Sequence, residues 1–295
     1  MLMLNFLPRK IRALFSDGLS YGLMKILGRF MVVRKFARNF NRKNSQLVNR
    51  HDGWFISDMD MLKKELKQKG FSLNISVENS VINNLKEYAN KHQVHGHMNS
   101  AWNFYIEDKD QFEKELNEEI LIAHYPNLHE STLFRSIETN RVLQSIASFY
   151  CGANAKCIAS QMWWTFPANV SEELRNRFAH FFHRDLDGYN FIKFFIYLTD
   201  VKSGDGGHFF IEGSHNPTIK DRLSEKFRIN RISDEIIVKR YGKNKVIEMI
   251  GEAGTVIVED TFGLHKGQTP SREPRLLACF VFGTKDYKNI QRYIV

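Results

Sequence analysis

Two hydrophobic rhythms divide the chain. Up to about residue 150, apolar positions recur three and four apart. From about 156 they cluster in short β-branched and aromatic runs. The first rhythm belongs to helices with one buried face, and it predicts helices over 56–70, 79–92, 109–123 and 138–150, with Ser80 capping the second. The second predicts strands at Cys157–Phe166, Phe191–Thr199, His208–Ile211, Val246–Ile250, Thr255–Val258 and Leu276–Phe282. Turn sequences separate them, among them Ser203-Gly204-Asp205-Gly206-Gly207 and Gly251-Glu252-Ala253-Gly254. Helices followed by many short strands imply an α+β domain, 51–295, on an antiparallel jelly-roll or barrel core at about 156–285, with the N-terminal helices packed around it. One connection, 215–245, is long and polar, with a short helix expected at Ile219–Phe227. It reads equally as a binding loop or as a solvated crossover.

Charge changes the picture at the N-terminus. Residues 1–50 carry eleven Lys/Arg against Asp17 alone, a net of +10, while the whole chain is +9. The body is therefore close to neutral. The basic segment also carries apolar residues at helical spacing (Leu19, Leu23, Ile26, Phe30), so it reads as a basic amphipathic extension. Two readings fit it: peripheral contact with an anionic membrane, or packing on the core with a solvated rim. No basic stripe continues into the body, so no nucleic-acid partner is expected. No apolar run is long enough to cross a bilayer, and Met1–Leu7 is too short for the apolar region of a signal peptide. The sparse cysteines Cys151, Cys157 and Cys279 fit a reducing compartment. The expected location is cytoplasmic, at the inner membrane surface on the first reading.

The chemistry-bearing residues are His183, Asp185 and His265. His183 and Asp185 are two apart, which on an extended segment points both side chains to one side. His265 follows a strand and a turn. Two imidazoles and a carboxylate form the facial ligand set of non-haem Fe(II) oxygenases. The stretch His183-Arg184-Asp185-Leu186 with Asn190 also fits a protein-kinase catalytic loop. No glycine-rich loop precedes it and no D-F-G follows, so the kinase reading falls. Arg275, at the head of a strand, can clamp the distal carboxylate of 2-oxoglutarate. Arg272, in a polar turn, is expected to face solvent. Lys193 interrupts an apolar strand and needs either a contact to the co-substrate or an escape off an edge. Gln161 lines the same cavity or is a core amide. Trp102, Phe104, Tyr105, Trp163 and Trp164 either shape a pocket or pack in the core. His180 is a candidate partner for the metal-binding imidazoles, or plain packing.

Five stretches, FFHRD (181–185), FIYLTDV (195–201), GDGGHFFIEGSH (204–215), GTVIVEDTFGLHKG (254–267) and REPRLLACF (272–280), occur in order and at a spacing that resembles the phytanoyl-CoA dioxygenase family of Fe(II)/2-oxoglutarate oxygenases. The resemblance runs from about Cys157 to Phe282. It implies a double-stranded β-helix, with iron on His183, Asp185 and His265 and 2-oxoglutarate on Arg275. It also implies O2-dependent hydroxylation of an unactivated C–H bond in a small-molecule or lipid-linked substrate. Related halogenases carry a small residue at the position of Asp185, so the carboxylate favours oxygen transfer over halogenation. His208 stands where many members have proline. The competing reading is a jelly-roll protein that keeps a metal for binding or structure, without redox turnover.

Overall fold

The computed structural model describes residues 19–40, 45–152, 154–218 and 232–287. The helix expected at Ile219–Phe227 and the stretch Met1–Leu7 lie outside these residues.

Among the described residues, fourteen strands form three antiparallel sheets. In the first half of the chain they are β1 (Arg50–His51), β2 (Trp54–Ile56), β3 (Phe71–Ser72), β4 (Ile75–Val77), β5 (Val94–Gly96), β6 (Asn103–Phe104) and β7 (Ile122–His124). The second half adds β8 (Lys156–Thr165), β9 (Phe191–Tyr197), β10 (His208–Ile211), β11 (Val246–Met249), β12 (Val256–Glu259), β13 (His265–Lys266) and β14 (Arg275–Gly283). The large sheet has the order β3-β12-β9-β14-β8-β7-β5-β6, a smaller one β11-β10-β13, and a third β1-β2-β4. The helices are α1 (Leu19–Leu27), α2 (Met31–Phe40), α3 (Met59–Gln68), α4 (Asn79–Lys91), α5 (Lys109–Leu116), α6 (Thr132–Glu138), α7 (Arg141–Cys151), α8 (Glu172–Arg177) and α9 (Asp234–Tyr241).

Period-two alternation on the central strands builds two cores. On β14, Leu276, Ala278, Phe280 and Phe282 face a core shared with α4 and α7. Leu277, Cys279 and Val281 face the opposite way, against Phe210 and Met249 of the small sheet. On β9, Ile192, Phe194 and Ile196 take the helix side, while Phe195 and Tyr197 take the inner side. Each fully buried Phe or Leu contributes about 1.5–3 kcal/mol, so both layers are strongly held.

Several expectations need correction. The helix expected over 109–123 stops at Leu116, where Asn117 adopts a left-handed conformation (φ 54°), and Ile122–His124 is a strand. The apolar run Ile120–Tyr125 is buried by pairing with β8, an environment that helical spacing cannot reveal. The helix expected over 138–150 is two. Asn140 caps the second, accepting from the backbone N–H of Val142 (2.9 Å) and Leu143 (3.4 Å). The α4 helix starts at Asn79, ahead of the expected cap Ser80. Nor does the strand region begin only near 156. Half of the large sheet's strands precede residue 125, but they are two or three residues long and too short to show alternation.

The described part of the basic N-terminal segment packs on the core. Tyr21 and Met24 of α1 meet Leu186, Phe191 and Phe262. In α2 the buried residue is a cation: Arg34 is 1% exposed, stacks over Phe262 (4.1 Å to the ring centroid) and reaches Asp260 at 3.4 Å. Tyr150 donates its hydroxyl to the same carboxylate at 2.5 Å. No helix among the described residues is long and apolar enough to cross a membrane.

Candidate active site

His183, Asp185 and His265 meet at one point. His183 and His265 sit opposite each other in an isolated antiparallel bridge, and Asp185 N donates to Thr261 O at 2.8 Å. Asp185 Oδ1 lies 3.5 Å from His183 Nε2, and Oδ2 lies 3.3 Å from His265 Nε2. One ligand atom from each residue falls within 4.8 Å of the others.

The rings are held for ligation. His183 Nδ1 donates to Phe181 O (2.9 Å) and His265 Nδ1 donates to Gly263 O (3.0 Å). A carbonyl can only accept, so each Nδ1 carries the proton and each Nε2 keeps its lone pair toward the carboxylate. Gly263 makes this possible. A Cβ there would collide with the ring of Phe210, so only glycine lets its carbonyl approach His265.

Lys193 explains the state of the carboxylate. Its Nζ donates to Asp185 Oδ2 at 2.7 Å and sits 2.9 Å from Asp187 Oδ2. Because β9 is paired on both sides, between β12 and β14, Lys193 has no edge from which to reach solvent. Burial would raise the Asp185 carboxyl, but Lys193, His265 and His183 outweigh it and hold the group well below its ordinary value. The carboxylate form of Asp185 is thus favoured, and it faces two imidazoles, a set that suits a divalent cation.

These residues line a cavity of about 250 Å³, together with Arg275 and Gln161. Arg275 is 3% exposed. It donates through Nη1 to Gly206 O and through Nη2 to Thr165 Oγ1 (3.2 Å), and its Nε has no partner among the described residues. Gly206 offers that carbonyl from a left-handed turn (φ 81°). Burial lowers the Arg275 guanidinium, and no carboxylate among the described residues offsets it. Arg272 instead pairs with Asp205 (2.8 Å) at the surface.

The remaining candidates divide by strand parity. Trp163 lines the cavity beside His124, whereas Trp164 points to the helix side and donates to Tyr125 Oη at 2.9 Å. Trp102 and Phe104 pack in the helix-side core, and Tyr105 is exposed. His180 lines the cavity and bonds Thr269 Oγ1 at 2.9 Å. The sequence reading missed the pair His208–Glu259. His208 Nε2 lies 2.8 Å from a fully buried Glu259, and its ring stacks 5.6 Å from that of His265. The histidine in place of proline was the available signal.

No protein-family model matches the chain, and no curated protein matches it. Solved structures do. HygX from Streptomyces hygroscopicus, crystallised with nickel, 2-oxoglutarate and hygromycin B, is 13% identical with a TM-score of 0.52, covering 77% of this chain and 87% of its own. SnoK, a non-haem α-ketoglutarate-dependent carbocyclase from nogalamycin biosynthesis, is 13% identical at 0.52, covering 76% and 84%. This chain shares their fold. EctD from S. alaskensis, in its apoform, is 13% identical at 0.50, covering 82% of each chain. At such identity the likeness is one of architecture, and the function must be argued from the site.

Proposed function

We infer that the protein is an Fe(II)/2-oxoglutarate-dependent oxygenase that hydroxylates an unactivated C–H bond of a small-molecule or lipid-linked substrate. The reading places it in or near the phytanoyl-CoA dioxygenase family and takes the large and small sheets as the two faces of a double-stranded β-helix. One observation carries it: a His–Asp–His face and a buried guanidinium without a carboxylate partner share a single cavity. A metal kept only for structure has no use for Arg275. An α-keto diacid would use both features, the metal held by His183, Asp185 and His265 and the guanidinium of Arg275 for its distal carboxylate.

The residues fit that pair of ligands. The Nε2 atoms of His183 and His265 and the carboxylate of Asp185 would hold Fe(II), and the Nε of Arg275, without a partner among the described residues, marks its capacity for a further acceptor. When bound, iron with 2-oxoglutarate and O2 supplies the oxidising power, with succinate and carbon dioxide as co-products. The chain supplies placement and dryness. Lys193 keeps Asp185 ionised, Phe195, Leu277 and Cys279 line the cavity with apolar surface, and Trp163 and Phe178 flank it where a substrate would lie. The structural neighbours with 2-oxoglutarate in their names support the same reading by analogy of fold.

The test is anaerobic addition of Fe(II) and 2-oxoglutarate. A weak visible charge-transfer band is expected in the wild type and none in His183→Ala. A band of equal strength in both, or none in either, overturns the reading. Succinate release coupled to O2 uptake then separates an oxygenase from a metal-binding protein without turnover.

A further inference from the structure

The α2 helix is inside out. Its buried side chain is Arg34, whereas Val32 and Phe36, one turn apart, are 77% and 66% exposed. Charge normally takes the wet side and large apolar groups the dry one. In α1, Tyr21, Gly22 and Met24 face the core, while Leu19, Leu23 and Ile26 form a second apolar stripe facing outward. The hairpin is anchored well enough to present these residues. Arg34 donates to Gly188 O at 3.2 Å and pairs with Asp260, and Arg38 stacks on Tyr150 at 4.4 Å.

The charge around this face is mostly positive. No acidic residue occurs between Asp17 and Asp52. Beside α2, a groove of about 830 Å³ runs to α3 and is lined by Lys35, Arg38, Lys63, Lys64 and Lys67, with no acidic lining residue. The acids nearby are already engaged: Asp58 caps α3, Asp60 pairs with Lys63 at 3.4 Å, Glu65 pairs with Lys69 at 2.9 Å, and the buried Asp260 lies 4.0 Å from Arg38. The Nε of Arg38 is buried without a partner among the described residues.

We propose that α1, α2 and the adjoining lysine groove of α3 dock the protein on an anionic phospholipid surface. Val32, Phe36 and the α1 stripe enter the boundary between headgroups and acyl chains, and the groove takes headgroup phosphates. Apolar insertion and cationic attraction are the two contributions that peripheral membrane binding needs, and here both sit on one hairpin. A second copy of the chain fits worse, because two predominantly basic surfaces would face each other. The inference does not rest on the oxygenase reading, since vesicle binding is measured without turnover.

The experiment is co-sedimentation of the full-length protein with vesicles of phosphatidylcholine alone, or with about a quarter phosphatidylserine. Binding is expected to the anionic vesicles only and should fade as salt rises toward about 1 M, where screening shortens to about 3 Å. The double variant Leu19→Ser/Val32→Ser should bind about tenfold more weakly or worse, with an unchanged melting curve because these positions are 68% and 77% exposed. Lys63→Ala/Lys64→Ala/Lys67→Ala should lose the salt-sensitive part. Three results overturn the proposal: equal binding to neutral vesicles, no binding to either, or a concentration-dependent dimer abolished by the double variant in a protein that leaves vesicles alone.

Discussion

His183 and His265 exchange both of their backbone hydrogen bonds, N–H to O at 3.0 and 3.1 Å. This bridge joins the loop after α8 to β13, and it sets the imidazoles side by side with ring centroids 4.3 Å apart. The ligand geometry is therefore a property of strand pairing, and side-chain choice adds only the donor atoms. His265→Ala should keep the bridge and lose the donor. Bound iron after dialysis is expected to fall at least about 100-fold in affinity, beyond the 10–100-fold typical of groups that only support ligands. Wild-type iron content in this variant would contradict the assignment of His265.

Arg275 offers a second, separable measurement. Arg275→Met should weaken 2-oxoglutarate by about 10–100-fold, the worth of one charge-assisted pair, and leave Fe(II) affinity unchanged. Arg275→Lys should recover little, because the bidentate fork is lost. Titrating 2-oxoglutarate against the iron-loaded protein reads both effects. Equal loss of iron and co-substrate would show a general collapse of the cavity instead.

Asp260 ties the N-terminal hairpin to the body. It accepts from Arg34, from Tyr150 and from the backbone of Phe262. Burial pushes its carboxyl up, yet Arg34, His215 and Arg38 outweigh this and hold it below the ordinary value. A depressed carboxyl adds stability above its unfolded value, about 3.9, and that stability is lost as pH falls through the folded one. Asp260→Asn leaves Arg34 buried without its counter-charge, so urea unfolding should show a loss of about 3–5 kcal/mol at neutral pH. The difference from wild type should narrow in acid.

His124 at the cavity wall and the buried His97 make stability depend on pH in a higher window. Burial, with Arg177 nearby, lowers His97 to about 4, and burial, with His97 and His95, lowers His124 to about 3. His97 Nε2 accepts from Leu121 N at 2.9 Å, which requires the neutral ring. Below the unfolded value of about 6.5 the unfolded chain takes protons that the folded chain refuses, so stability should fall as pH drops from there toward about 4. Thermal melts across this window check it. In His124→Phe, which keeps the stacking on Trp163 and removes one titrating group, the fall should be shallower.

Much of the site was legible because β-strand parity is local. Gln161, Lys193 and Arg275 alternate with residues that read as core, so their common inner face follows from counting by two. The same counting separates Trp163 from Trp164. The N-terminal half was less legible. Strands of two or three residues carry no measurable period, and the apolar run Ile120–Tyr125 satisfies helical spacing while being buried by pairing with β8. Helical spacing marked the N-terminal segment as amphipathic, but it did not show that α2 would bury Arg34 while Val32 and Phe36 stay exposed.

The order of residue types along the chain determined which atoms are available: two imidazoles and a carboxylate in motif context, a strand-head guanidinium, and a basic segment with a single acid. It could do so because side-chain chemistry and alternation are properties of neighbouring positions. Only the tertiary structure decided that Lys193 spends its charge on Asp185 and Asp187, that Arg275 has no carboxylate partner, and that His208 meets Glu259 behind His265. Those outcomes depend on which strands become neighbours and on the removal of water between them, and no local pattern encodes either.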